Sequence, residues 1–312
     1  MGHTRFKLRR KIMNKTKLIL ASAIIFMMIF SPAVFGKLKV VTSYRYISDV
    51  AGRIGGDEIS AIALSKGSRD PHFITPKPSF ISKMRRADLL IINGGQLEIG
   101  WIPPILRKAN NPKIVPGSEG FLDLFSFIRP IEVPTDVSRA QGDIHPDGNP
   151  HFALNPDNIA LIAKAIKNKL AELLPEKNKY FEDNLNNFLK KWEERSKYWE
   201  EELKKFSGKN IIQYHKNFDY FIEKYNLNEL GTLEPVPGIP PTSKQIEKII
   251  TLVKNRGGSF LLHDVYHNQK ASKYVAKRCK IKMVILPHDV GSVPGAKDIF
   301  SLFDEIVRRL SE

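Results

Sequence analysis

The sequence predicts an α/β protein of two small parallel-sheet lobes joined by a long rigid backbone helix. Short apolar or β-branched runs alternate with amphipathic helical patterns, and the alternation occurs twice. Between the two sets lies a charged helical stretch, residues 177–206, which marks the boundaries: an N-terminal lobe over 37–176, the linking helix, and a C-terminal lobe over 207–312.

Residues 37–43 form a β-branched run, followed by a helical pattern over 46–54 that stops at Gly55-Gly56. Residues 59–64 make the next strand, and 67–78 read as an irregular loop carrying Asp70-Pro71-His72. A helix over 79–86 leads into 87–93, a continuous apolar run of the kind buried in a parallel sheet. Residues 98–109 read as helical despite Pro103 and Pro104, and 112–134 as mostly loop. The segment 142–156 is too rich in Gly and Pro for helix or strand, and Pro150 stiffens the backbone that presents His151. Apolar residues recur at helical spacing over 158–174. They do so again over 177–206, where Phe181, Leu185, Phe188, Trp192 and Trp199 suit a helix bridging two lobes. Strands are then predicted at 209–214, 228–233, 259–263 and 282–286, with helices at 218–225, 243–254, 270–279 and 297–310.

Composition limits the function classes. The 312 residues carry a formal charge of +16, with seven basic residues crowded before an apolar run at 18–30 that is shorter than a bilayer span. Val34 and Gly36 suit cleavage before Lys37, so residues 1–36 are expected to be a signal peptide and the remainder an exported chain of about +9. No cysteine stands at the cleavage region after the apolar run, which argues for a soluble periplasmic protein rather than a lipoprotein. Cys279 is the only cysteine, so no internal disulfide forms. Export makes nucleic acid a poor partner, and no subunit-pairing signal is visible, which points to a monomer.

His72, His151, His215 and Asp289 all fall in loops or just beyond strand ends, separated by 79, 64 and 74 residues, two before the long helix and two after it. Ligands of open α/β sheets bind beyond the carboxyl ends of the strands, so two facing lobes bring these residues to one interlobe cleft. Spacing alone leaves two readings open: a four-ligand metal site, or scattered loop histidines. His145 reads as a satisfied loop histidine, and His263 and His267 as structural or surface residues.

Several ordered motifs carry a resemblance over nearly the whole exported chain. Asp70-Pro-His-Phe-Ile-Thr-Pro-Lys-Pro-Ser79, Ala87-Asp-Leu-Leu-Ile-Ile-Asn-Gly94 with Glu98 and Trp101, Gly148-Asn-Pro-His-Phe152, and Tyr214-His215 with Phe218 and Tyr220 resemble the substrate-binding proteins of zinc and manganese ABC importers, the ZnuA/TroA-like family. The resemblance implies a metal clamped between the lobes by His72, His151, His215 and Asp289, and a permease with a cytoplasmic ATPase as partner. Glu234 or water is the alternative to Asp289. Manganese-type members resemble this pattern with a carboxylate at the third position, so His215 favours Zn²⁺ over Mn²⁺. The long His- and Asp-rich loop of many zinc members is absent, with only Asp143, His145 and Asp147 in its place.

The function expected is capture and delivery of Zn²⁺ without chemistry, with affinity falling below about pH 6 as imidazoles protonate. A zinc hydrolase would need a general base near an open coordination position, and no His-Glu-x-x-His cluster is present. Manganese uptake, or a surface protein retaining the fold without transport, are the alternatives.

Overall fold

The structure, a computed structural model, describes residues 36–135, 145–236 and 238–312. The segment read as a signal peptide, Gly36 apart, and Asp143 lie outside the described residues.

β1 (Leu38–Thr42), β2 (Ile59–Ala63), β3 (Leu89–Ile92) and β4 (Phe121–Asp123) form a parallel sheet of order β2-β1-β3-β4. β5 (Asn210–Gln213), β6 (Asn228–Thr232), β7 (Phe260–His263) and β8 (Lys282–Ile285) repeat that order as β6-β5-β7-β8. Parallel pairing forces every connection to cross over, and the crossovers are helical where the sequence has amphipathic runs. In the first half these are α1 (Arg45–Gly55) and α2 (Pro78–Arg85), with α3 (Ile102–Ala109) leading toward β4. In the second they are α6 (Asp219–Lys224), α7 (Ser243–Arg256) and α8 (Lys270–Cys279), and α9 (Ile299–Ser311) closes the chain.

The helix expected over 98–109 begins only at Ile102. Pro103 and Pro104 lack an N–H and are tolerated only in a first turn, so the preceding residues form turns instead. Glu98 is thereby released from helical duty, and its carboxylate accepts the Asn93 and Gly94 amides at 2.8 and 3.1 Å.

α4 (Pro156–Leu173) and α5 (Asn178–Lys204) stand between the two sheets. At 27 residues α5 is about 40 Å long. It buries Phe181, Leu185, Phe188, Trp192, Trp199 and Leu203 on one face. α9 returns to that face: Phe303 stacks on Trp199 at 4.8 Å between centroids, and Phe300 meets Trp192 edge-on at 5.1 Å. The principal core therefore runs without a break from β1 and α1 through α5 to α9. A smaller apolar cluster, including Ile212, Leu261, Ile249 and Val275, joins the second sheet to α7 and α8.

Candidate metal centre

The loops that follow β2, β4 and β5 carry the imidazoles. His72 lies in the loop after β2. The carbonyl of Pro71, one residue before it, accepts hydrogen bonds from the Tyr44 hydroxyl at 3.0 Å and the Trp101 indole at 3.2 Å. Asp70 accepts from both the His72 amide and the His72 Nδ1, each at 3.0 Å, which turns Nε2 outward. Burial pushes the Asp70 carboxyl up, but the hydrogen bonds from His72 outweigh it and hold the group below its usual range.

The loop bearing His151 is fastened from both lobes. Asn93, held by Glu98, donates through Nδ2 to the Pro150 carbonyl at 3.0 Å. Tyr220, from α6 across the cleft, donates its hydroxyl to the Asn149 carbonyl at 3.0 Å. Asn149 accepts the His151 amide at 2.9 Å and donates to the Lys216 carbonyl at 2.9 Å, linking the two histidine-bearing segments. His215 follows β5 by two residues, and its Nδ1 is hydrogen-bonded to the buried carboxylate of Glu234. Glu234 also accepts the Gly238 amide at 3.0 Å, so it is fixed independently of the imidazole.

These three rings converge. The centroid of His72 is 5.1 Å from that of His151 and 5.3 Å from that of His215, and His151 and His215 are 5.4 Å apart. A fourth imidazole, His145, joins them: its Nε2 is 3.2 Å from the Nε2 of His72. One ligand atom from each of His72, His145 and His151 fits within a set no more than 4.8 Å across. The Nε2 of His151 is buried with no hydrogen-bond partner among the described residues. Burial lowers the His145 pKa to about 3 and that of His151 well below its ordinary value, with neighbouring imidazoles adding to both shifts. His215 is also lowered, by burial working against the Glu234 carboxylate. His145, His151 and His215 are thus held toward their neutral, donor form, and a cavity of about 460 Å³ lined by Thr75, Gln96, Ile99 and Trp101 opens on His72 and His145. A larger cavity of about 780 Å³, between α3 and β4, has no histidine in its lining.

Asp289 lines a small cavity together with His151, and its oxygens meet backbone amides. Its Oδ1 accepts the amides of Tyr46 at 2.8 Å and Val290 at 2.7 Å, and its Oδ2 accepts the amide of Arg45 at 3.2 Å. Both oxygens are engaged by backbone, and the carboxylate caps α1 of the opposite lobe. Burial raises its pKa to about 6 in spite of those amides. The alternative, Glu234, stands behind His215 rather than beside it.

His145 is the residue that sequence reasoning set aside. Its signal was its place in the Gly- and Pro-rich segment six residues before His151. Asp147, from the same segment, accepts a hydrogen bond from Gln96 at 3.2 Å. His267 pairs with Asp264 at 2.7 Å, and His263 is fully buried. A second group of possible donors, Glu132, Asp219 and Glu229, is already filled. Lys216 turns to it, pairing with Glu132 and lying 3.3 Å from Asp219 and 3.6 Å from Glu229.

Two parallel α/β lobes spanned by one long helix, with imidazoles gathered where the strand ends face each other, are the architecture of the substrate-binding proteins of metal ABC importers. The chain belongs to the ZnuA family, zinc-uptake complex component A, periplasmic, which it matches over residues 40–312. It is 23% identical over 259 residues to the zinc-binding protein AdcA of Streptococcus pyogenes serotype M1, a match covering 80% of this chain and 50% of AdcA. The chain therefore spans about half the length of that curated relative. Among solved structures, a crystal structure of ZnuA superposes with a TM-score of 0.73 at 21% identity, covering 88% of this chain and 98% of the other. The Mn-bound periplasmic metal binding protein from Candidatus Liberibacter asiaticus gives 0.71 at 18% identity, covering 87% and 98%. At these identities the likeness to solved structures establishes the fold. The family is one of metal-binding transport components, not of enzymes.

Proposed function

We propose that the chain captures Zn²⁺ in the interlobe cleft and delivers it to the permease of an ABC importer driven by a cytoplasmic ATPase. The observation that carries this reading is the gathering of four imidazoles in the cleft, with the Nε2 atoms of His72 and His145 in a hydrogen-bonded pair 3.2 Å apart. Two nitrogens bound at ~2.0–2.1 Å to one tetrahedral zinc stand ~3.3 Å apart. The partnerless Nε2 of His151 fits the same ion, since a buried imidazole nitrogen gains most from a ligand that replaces water. We assign His72, His151 and His215 as ligands, as the sequence suggested. His145 takes the fourth position that the family resemblance implied for Asp289, and Asp289 serves as a clasp between the lobes.

The lobe boundaries at 37–176, 177–206 and 207–312, export by a cleaved signal peptide, a soluble periplasmic rather than lipid-anchored form, and a monomer belong to the same reading. An all-imidazole shell favours zinc; manganese uptake, the second reading, is supported by the Mn-bound neighbour on the same fold. Elemental analysis after chelation and reloading from an equimolar Zn²⁺/Mn²⁺ mixture tests the choice. One zinc per chain is expected, lost in His72→Ala and His151→Ala. A manganese-loaded chain would move the assignment to manganese, and a chain without tight metal would remove it.

A further inference from the structure

The residues from Ser243 to Lys282 comprise α7, β7, α8 and the first residue of β8. They hold ten basic side chains against two acids, Glu247 and the buried Asp264. This segment therefore carries a charge of +8, nearly the whole excess of the chain from Lys37 onward. α5 provides the contrast. Its lysines are matched along the helix by acids, with pairs at Lys179–Asp183, Glu193–Lys197, Glu201–Lys204 and Glu202–Lys205. On α7 and α8 the one ion pair found among the described residues is Arg278–Glu247.

The two helices pack on each other and on the second sheet, and their basic residues point outward. Lys270, Lys273 and Lys277 recur at helical spacing on the side of α8 opposite the buried Ser272, Val275 and Ala276. Lys244, Lys248, Lys254 and Arg256 are exposed on α7. The only large apolar side chain exposed there is Tyr274.

We propose that this α7–α8 face adsorbs to an anionic phospholipid surface. Protein interfaces are depleted of lysine at their centres and anchored by aromatic and arginine side chains in pockets. This face has the opposite composition: lysine point charges spread over an exposed exterior. Such an array suits a fluid plane of phosphodiester headgroups, each basic residue adding attraction while it lies within a Debye length of the surface. Adsorption would keep the carrier beside a membrane without occluding the imidazole cleft, whose donors come from loops and not from these helices. The face is independent of the metal reading.

The test is cosedimentation of the chain from Lys37, which holds every described strand and helix, with phosphatidylcholine vesicles containing or lacking phosphatidylglycerol. Binding is expected only with the anionic lipid and is expected to fall as salt rises. Lys270→Gln, Lys273→Gln and Lys277→Gln together are expected to lower the partition coefficient by roughly 100-fold, from about fivefold per lysine. Lys190→Gln, Lys191→Gln and Lys197→Gln on α5 are expected to change it little. Equal losses in the two triple variants, no preference for the anionic lipid, or capture of acidic polypeptide with no vesicle binding would each overturn the proposal. A zinc titration of every variant separates this result from the metal reading, because the three α8 lysines touch no imidazole of the cluster.

Discussion

Two imidazoles in the cleft have a carboxylate partner that fixes their orientation, and the loop of a third is pinned through its backbone. Asp70 holds His72, Glu234 holds His215, and the His151 loop is held through Asn93 and Asn149. A carboxylate behind a metal-bound histidine sets its tautomer and raises its basicity. Glu234→Gln is accordingly expected to weaken zinc binding by ~10–100-fold, read by competition with a chromophoric chelator. Unchanged affinity would reduce Glu234 to a packing role. Acidity acts on the donors directly. Zinc needs neutral imidazoles, and burial lowers the pKa of His145 to about 3 and those of His151 and His215 below their ordinary value. Protons then compete only at lower pH than for an exposed imidazole, so the loss first expected below about pH 6 moves to more acid solution. Competition titrations from neutral pH downward check this, and release already complete near pH 6 would contradict it. His72, His151 and His215 were legible because each sits in a short motif of Pro, Asn or aromatic residues. His145 was not, because its approach to His72 depends on how its loop folds back across the cleft. Asp289 was legible as a carboxylate beyond a strand, while the use of its lone pairs on backbone amides 243 and 244 residues away was not.

At the scale of elements, two contacts around Asp289 add to those at Asn149 in holding the lobes in register. Asp289 caps α1 from the far lobe, supplying the side-chain acceptor that Tyr44, at the cap position, does not. Asp289→Ala is expected to cost about 1–2 kcal/mol in urea unfolding of the metal-free protein while leaving a zinc site in place. Loss of zinc with unchanged stability would restore Asp289 as a ligand. The second contact is backbone on backbone. A Cβ built on Gly67 would stand 2.1 Å from the Val290 carbonyl oxygen, one residue past Asp289. Gly67→Ala must displace that segment, and a loss of about 1–3 kcal/mol is expected in the same unfolding experiment. The strands themselves were legible, since β-branched and continuous apolar runs such as Leu89–Ile92 have few other fates. The start of α3 was misread because the apolar period runs through Glu98 to Trp101, and the prolines that forbid an interior helix there count for more than the period.

For the whole molecule, the repeated strand order makes two lobes, but the core does not respect them. Trp199 and Phe303 join α5 and α9 in the same apolar cluster that holds β1, α1 and β3. A single cooperative transition is therefore expected in calorimetry of the chain from Lys37, and Trp199→Ala is expected to cost about 3–5 kcal/mol across that transition. Two resolved transitions would show that the lobes unfold separately. Local patterning revealed two α/β sets and a bridging helix. It could not reveal that the last helix returns to the bridge, because contacts between residues about a hundred positions apart leave no period in a sequence.

We propose that four imidazoles, two of them 3.2 Å apart, hold one zinc. A crystal of the zinc-loaded chain measured on both sides of the zinc absorption edge tests it most directly. One anomalous peak is expected, ~2.0–2.1 Å from a nitrogen of each of His72, His145, His151 and His215, with Asp289 still on the amides of α1. A peak bound by the Asp289 carboxylate, or one lying away from His72 and His151, would contradict it.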